Sequence, residues 1–200
     1  MSVKTNTTLD YYNENSDLFA ADTLSLEFSS IQDSFLKYMK PGSLILDFGC
    51  GSGRDSLYFL QKGYSVEAID GSEEMVRIAS KTTGLPVRCM LFQELDEDEK
   101  YDGIFACASI LHVPYDDLRD VMTRINKAVK NHGYVYVSFK YGESEGYRNG
   151  RYFTDMTEER FERLLDEVPG FVIVGESVTS DARPGRSDEK WLNVLLRKMI

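Results

Sequence analysis

Apolar positions along the chain alternate between two spacings. Leu24, Phe28, Ile31 and Phe35 lie four, three and four residues apart. That is one face of a helix, and Pro41-Gly42 stops it. The run Ser43-Leu44-Ile45-Leu46-Asp47-Phe48 is short and apolar, as in a strand buried on both faces. A glycine-rich turn and a helix over about 54–62 follow, then a second strand from Tyr64 to Ile69 that ends at Asp70. Ser72 is placed to cap the next helix, with Glu73 and Glu74 in its first turn. A short third strand is expected near Val87–Met90 and a fourth at Tyr101–Cys107. Leu118, Val121, Met122, Ile125 and Val129 mark an amphipathic helix ended by His132-Gly133, and Tyr134–Phe139 is the fifth strand. Phe161, Leu164, Leu165 and Val168 mark one more helix. Strands near 170–179 and 190–198 are positioned to pair antiparallel. Residues 142–151 and 180–189, rich in glycine and charge, read as loops.

Strand and helix in alternation predict an α/β fold, an open sheet wound on both faces. Right-handed crossovers then gather the loops after strands 1, 2 and 4 at one carboxyl edge, where ligands bind at a topological switch point. At 200 residues, 42% of them hydrophobic, one domain over 1–200 is expected, with 1–40 as a helical lid and 41–200 as the core. The 23 basic and 33 acidic residues leave a formal charge of −10, which argues against a nonspecific nucleic-acid binder. Cys50, Cys89 and Cys107 form neither a disulfide framework nor a zinc site by spacing, and no metal is expected. Reduced thiols and the lack of a signal-like or membrane-spanning run lead to the expectation of a cytoplasmic protein, monomer or homodimer.

The chemistry concentrates in Asp47-Phe48-Gly49-Cys50-Gly51-Ser52-Gly53-Arg54. A dinucleotide fingerprint needs glycine where Arg54 stands, and the Gly-Lys-Ser/Thr of a phosphate loop is absent, so both are disfavoured. Glycines at 49, 51 and 53 instead let backbone pass close to a bulky ligand. Asp70 is positioned to accept the hydroxyls of a ribose.

With those residues in view, LILDFGCGSGRDSLYFLQKGYSVEAID resembles motif I and the acidic second-strand end of class I S-adenosylmethionine-dependent methyltransferases. The nearest likeness is to the small single-domain group with tellurite-resistance and thiopurine-type enzymes. The resemblance implies a Rossmann-like, seven-stranded, mostly parallel sheet whose last strand is antiparallel. It implies S-adenosylmethionine as cofactor and S-adenosylhomocysteine as product. It would set Gly49, Cys50, Gly51 and Arg54 along the methionine part, Asp47 at the amino group directly or through water, and Asp70 on the ribose. Gly71 and Met75 would border the adenine, Gln93 or Glu94 would read its amino group, and Cys107 and Ala108 would lie under the cofactor. Tyr12, with Tyr11 and Phe19, would fold over it as a lid, the alternative being a short helix packed on the sheet edge.

Methyl transfer from a sulfonium is an in-line displacement that mainly needs alignment and exclusion of water. The segment after the fourth strand lacks the Asp/Asn-Pro-Pro-aromatic run of nucleic-acid amino-methyltransferases. His112 there is the candidate catalytic base, or a substrate ligand. Lys140, Tyr141, Arg151, Arg183, Arg186 and Trp191 are the further substrate-binding candidates, a local cationic and aromatic pocket suited to an anionic or aromatic small molecule. The expected activity is methylation of a small-molecule S, N or O nucleophile. The alternatives are an RNA or protein methyltransferase, or a module that binds the cofactor without turnover.

Overall fold

The computed structural model describes residues 3–200, with side chains from residue 7 onward. Three helices lead the chain: α1 (Val3–Glu14), α2 (Ser16–Leu24) and α3 (Ser29–Leu36). The core then runs β1 (Leu44–Phe48), α4 (Arg54–Gln61), β2 (Ser65–Asp70), α5 (Glu73–Thr83), β3 (Arg88–Cys89), β4 (Tyr101–Ala106), α6 (Tyr115–Ala128) and β5 (Val129–Lys140). A hairpin of β6 (Glu145–Arg148) and β7 (Arg151–Thr154) interrupts it before α7 (Glu158–Asp166), β8 (Phe171–Ser180) and β9 (Lys190–Lys198). The main sheet has seven strands in the order β3-β2-β1-β4-β5-β9-β8. The first five strands pair in parallel, while β9 runs antiparallel to both β5 and β8. This is the expected Rossmann-like architecture, and the order reverses between β1 and β4.

Alternation along the strands builds the two cores. Leu46, Ile104, Val135 and Val137 face the layer that holds α6 and α7, together with Phe161 and Leu164. Ile45, Phe105 and Tyr136 face the other layer, against Phe35 and Phe59. There Phe105 stacks on Tyr136 at 4.5 Å and meets Phe59 edge-on at 5.1 Å. Among the described residues, no helix is long and apolar enough to cross a membrane.

Three local expectations are corrected. The helical face from Leu24 to Phe35 belongs to two helices, not one. Thr23 turns its hydroxyl back to the Phe19 carbonyl, and Glu27 accepts from the backbone amide of Ser29 to start α3 afresh. Residues 142–151 are not simply a loop. Asn149 (φ 49°) and Gly150 (φ 78°) form the two-residue turn of the β6–β7 hairpin, with Arg148 opposite Arg151. The helix before β5 ends at Ala128 rather than at His132-Gly133, because Glu99 and Lys100 donate their amides to the Lys127 and Ala128 carbonyls as they enter β4. The short third strand expected near Val87–Met90 is found at Arg88–Cys89.

Candidate active site

β1 delivers the chain into its glycine loop at the switch point. Gly49 has φ of 86°, and a Cβ on it would lie 2.4 Å from Ser109 Cβ, so the loops after β1 and β4 meet backbone to side chain. Ser109 is fixed there by donating to the Phe48 carbonyl at 2.6 Å. Gly51 opens the other way: a Cβ there would meet only the Phe19 ring, 3.5 Å off. Asp70, at the end of β2, ties the loop down. Its two oxygens accept from the Gly51 and Ser72 amides, each at 2.9 Å. Burial pushes its carboxyl upward. Ser72 also caps α5 as expected, accepting from the Met75 amide.

Around this edge lies a cavity of about 230 Å³, roofed by the N-terminal helices and the hairpin. The cofactor candidates Tyr12, Gly49, Cys50, Gly51, Arg54, Asp70, Gly71, Met75, Gln93, Cys107 and Ala108 all line it. So do the substrate candidates His112, Lys140, Arg151, Arg183, Arg186 and Trp191. The roof is held by a Tyr152 amide donating to Thr8 Oγ1 at 3.0 Å and by Gly150 packed under the Tyr11 ring.

Three candidates stand apart. Asp47 is 2% exposed and sits beneath the loop, accepting from Ser56 Oγ of α4 at 2.5 Å. Burial, with Asp55 beside it, pushes the Asp47 carboxyl upward, and the side chain lies off the cavity wall. Its direct contact with a ligand in the cavity is therefore corrected to support of the loop. Glu94 turns back to accept the Leu91 amide at 2.8 Å and lines a separate shallow hollow, which leaves Gln93 alone on the cavity wall. Tyr141 is 41% exposed and outside the lining.

The polar end of the cavity is a chain of three groups. His112 Nδ1 lies 2.6 Å from the Tyr152 carbonyl, so that nitrogen carries the proton. His112 Nε2 then accepts from Tyr12 Oη at 2.8 Å, and Arg151 Nη1 donates to Tyr12 Oη at 3.4 Å. Burial, with Arg151 and Arg148 nearby, lowers His112 to about 4, so the imidazole is neutral. Burial also raises Tyr12, which keeps its hydroxyl proton.

The cationic pocket is less cationic than its residues suggest. Arg54 pairs with Asp55 at 2.8 Å and lies over the Phe28 ring. Lys140 and Arg186 both reach Glu189, and Arg183 pairs with Asp181, which also accepts from Trp191 Nε1 at 3.0 Å. The sequence reading missed these carboxylates, as it missed Phe28, Phe92, Ser138 and Phe153 on the wall. Ser138 Oγ accepts the Ala108 amide at 2.8 Å and holds that residue at φ 50° under the cavity. Cys107 beside it is pushed up to about 12 by burial and Asp55, so its thiol stays protonated. Among the described residues, no group of three His, Cys, Asp or Glu is placed to hold a metal ion.

Residues 45–133 match the family described as "Methyltransferase domain". An uncharacterized methyltransferase of Staphylococcus carnosus is 28% identical over 122 residues, 58% of this chain and 59% of that protein. The chain spans between 33% and 59% of the length of the curated relatives it matches. Among solved structures, the Burkholderia thailandensis 1,6-didemethyltoxoflavin-N1-methyltransferase, with 1,6-didemethyltoxoflavin and S-adenosylhomocysteine bound, has a TM-score of 0.79 at 20% identity, covering 100% of this chain and 92% of that one. The magnesium protoporphyrin IX methyltransferase of Synechocystis, with S-adenosylmethionine bound, has a TM-score of 0.74 at 18% identity, covering 99% and 98%. At these identities the structures show the shared fold. The matched methyltransferase-domain segment contains the glycine loop and Asp70 and runs from β1 into β5.

Proposed function

We propose that the protein transfers a methyl group from S-adenosylmethionine to an S, N or O nucleophile of a small molecule held in the roofed cavity. The observation that carries this reading is the convergence of the glycine loop, Asp70 and the Tyr12–His112 pair on one cavity. The residues fit the cofactor: Gly51 leaves room that a side chain would fill, and each Asp70 oxygen, holding one amide, has a lone pair left for a ribose hydroxyl. Gly71 and Met75 would border the adenine and Gln93 would reach its amino group, while Cys107 and Ala108 form the floor.

When bound, the cofactor supplies an electrophilic methyl on a good sulfonium leaving group. The protein's part is orientation and exclusion of water, which the N-terminal roof provides. His112, neutral and already accepting from Tyr12, is a positioning residue in this reading. It takes the Tyr12 proton inward and leaves a Tyr12 oxygen lone pair for an acceptor N–H or O–H. A base near pKa 4 removes few protons, so the acceptor is one that needs little activation.

Calorimetry against S-adenosylmethionine, S-adenosylhomocysteine and NAD tests the cofactor, and S-adenosylhomocysteine release with thiols, amines and phenols tests turnover. Binding of both adenosyl compounds but not NAD is expected. No binding of either to folded protein overturns the proposal.

A further inference from the structure

Five cationic side chains line the cavity, and four of them already have a carboxylate. Arg151 is the exception: among the described residues it has no acidic partner within 4.0 Å, whereas its hairpin neighbour Arg148 pairs with Asp155. Its guanidinium carbon sits 4.5 Å from the Tyr11 ring centroid and 5.1 Å from that of Phe153. Among the described residues, its one side-chain hydrogen bond is the long one to Tyr12. Nε is buried without a partner, so the charge is partly dehydrated, and Nη2 donates to nothing among the described residues. Stacked rings tolerate a guanidinium but do not neutralise it. A partly dehydrated cation held in place, its donors spare, calls for an anion that arrives from outside.

We propose that Arg151 is the seat for an oxyanion, carboxylate or phosphate, carried by the methyl acceptor. This deepens the proposed function and rests on it. Planar paired donors suit either anion. The acceptor is favoured over the cofactor's own carboxylate by position. Apart from Tyr12 on α1, the candidate cofactor residues follow β1, β2, β3 and β4, whereas Arg151 comes from β7 in the roof, beside Tyr12 and His112. Asp70, the acid on the cavity wall with no cation beside it, is engaged by two amides and does not serve Arg151.

The test uses S-adenosylhomocysteine-loaded protein titrated with benzoate, phenyl phosphate and benzamide, as wild type, Arg151→Gln and Arg151→Lys. Wild type is expected to bind at least one anion about tenfold more tightly than the isosteric neutral amide. Arg151→Gln should lose that preference and Arg151→Lys should keep part of it, with S-adenosylhomocysteine affinity within about twofold of wild type. The stronger of the two anions separates a carboxylate from a phosphate acceptor. Equal binding of anion and amide by wild type, no binding of either anion, or an undiminished preference in Arg151→Gln overturns the inference. So does a loss confined to S-adenosylhomocysteine affinity in Arg151→Gln, which would assign Arg151 to the cofactor's carboxylate. Failure of wild type to bind S-adenosylhomocysteine at all would instead defeat the proposed function.

Discussion

Gly49 and Gly63 offer a controlled comparison, because both have φ of 86°. An alanine at either position carries its Cβ in the left-handed region, which costs about 1–2 kcal/mol. At Gly63 nothing lies within 4 Å of the new Cβ, so Gly63→Ala should cost that much and no more. At Gly49 the Cβ would sit 2.4 Å from Ser109 Cβ and 3.1 Å from the Phe92 ring. Ser109 has little freedom to retreat, since its hydroxyl is committed to the Phe48 carbonyl. Overpacking of this kind adds about 1–3 kcal/mol, so Gly49→Ala should cost about 2–5 kcal/mol. At about 2–4 °C per kcal/mol for a domain of this size, melting falls by about 2–8 °C for Gly63→Ala and about 4–20 °C for Gly49→Ala. Thermal melts and urea unfolding followed by circular dichroism measure both variants. Gly49→Ala should also weaken S-adenosylhomocysteine binding, since Ser109 lines the cavity, and Gly63→Ala should not. Equal destabilisation of the two variants would refute the steric argument and leave only backbone strain.

Other consequences are open to direct measurement. Asp70→Ala should weaken S-adenosylhomocysteine binding by about 2–4 kcal/mol in calorimetry, the worth of one or two charged hydrogen bonds, and an unchanged affinity would remove Asp70 from the ribose. His112 stands at about 4 when folded against an ordinary value of about 6.5, so the unfolded chain takes up its proton first as the pH falls. Its contribution to stability is whole above pH 6.5 and shrinks toward pH 4, by about 3 kcal/mol in all. Urea unfolding over that window should show a shallower slope for His112→Gln than for wild type, and identical slopes would contradict a neutral buried imidazole. Trp191 is the single tryptophan and lines the cavity, so its fluorescence should change as S-adenosylhomocysteine or an acceptor binds, and a silent titration with binding seen by calorimetry would place both ligands away from it.

Much of the sheet is legible in local pattern. Apolar runs at 44–48 and 101–106 are strands because only a doubly covered sheet buries them, and glycines after β1 with an acid after β2 mark the switch point. The face taken by Asp47 was also readable. Alternation puts it with Ile45, toward α4 and Ser56, rather than with the ligand. The hairpin was harder, although Asn149-Gly150 is a strong turn signal, because its flanking positions are arginines, tyrosines and a glutamate rather than alternating apolar residues. The neutralised cations were not legible at all. Lys140 and Glu189 are 49 residues apart, and only the pairing of β5 with β9 and of β8 with β9 brings the 180–189 loop back over the β5 end.

The position of β9 bears on how the molecule is made. Of the nine strands among the described residues it is the last in sequence, yet it lies inside the sheet, hydrogen-bonded to β5 on one side and β8 on the other. During synthesis the inner edge of β5 has no partner until residues 190–198 have been translated, some fifty residues after β5 itself. At roughly 5–20 residues per second, that edge waits several seconds with Val135, Val137 and Phe139 beside it. Closure of the sheet, and with it the seating of Trp191 and Asn193 on the cavity wall, therefore waits until β9 has been translated.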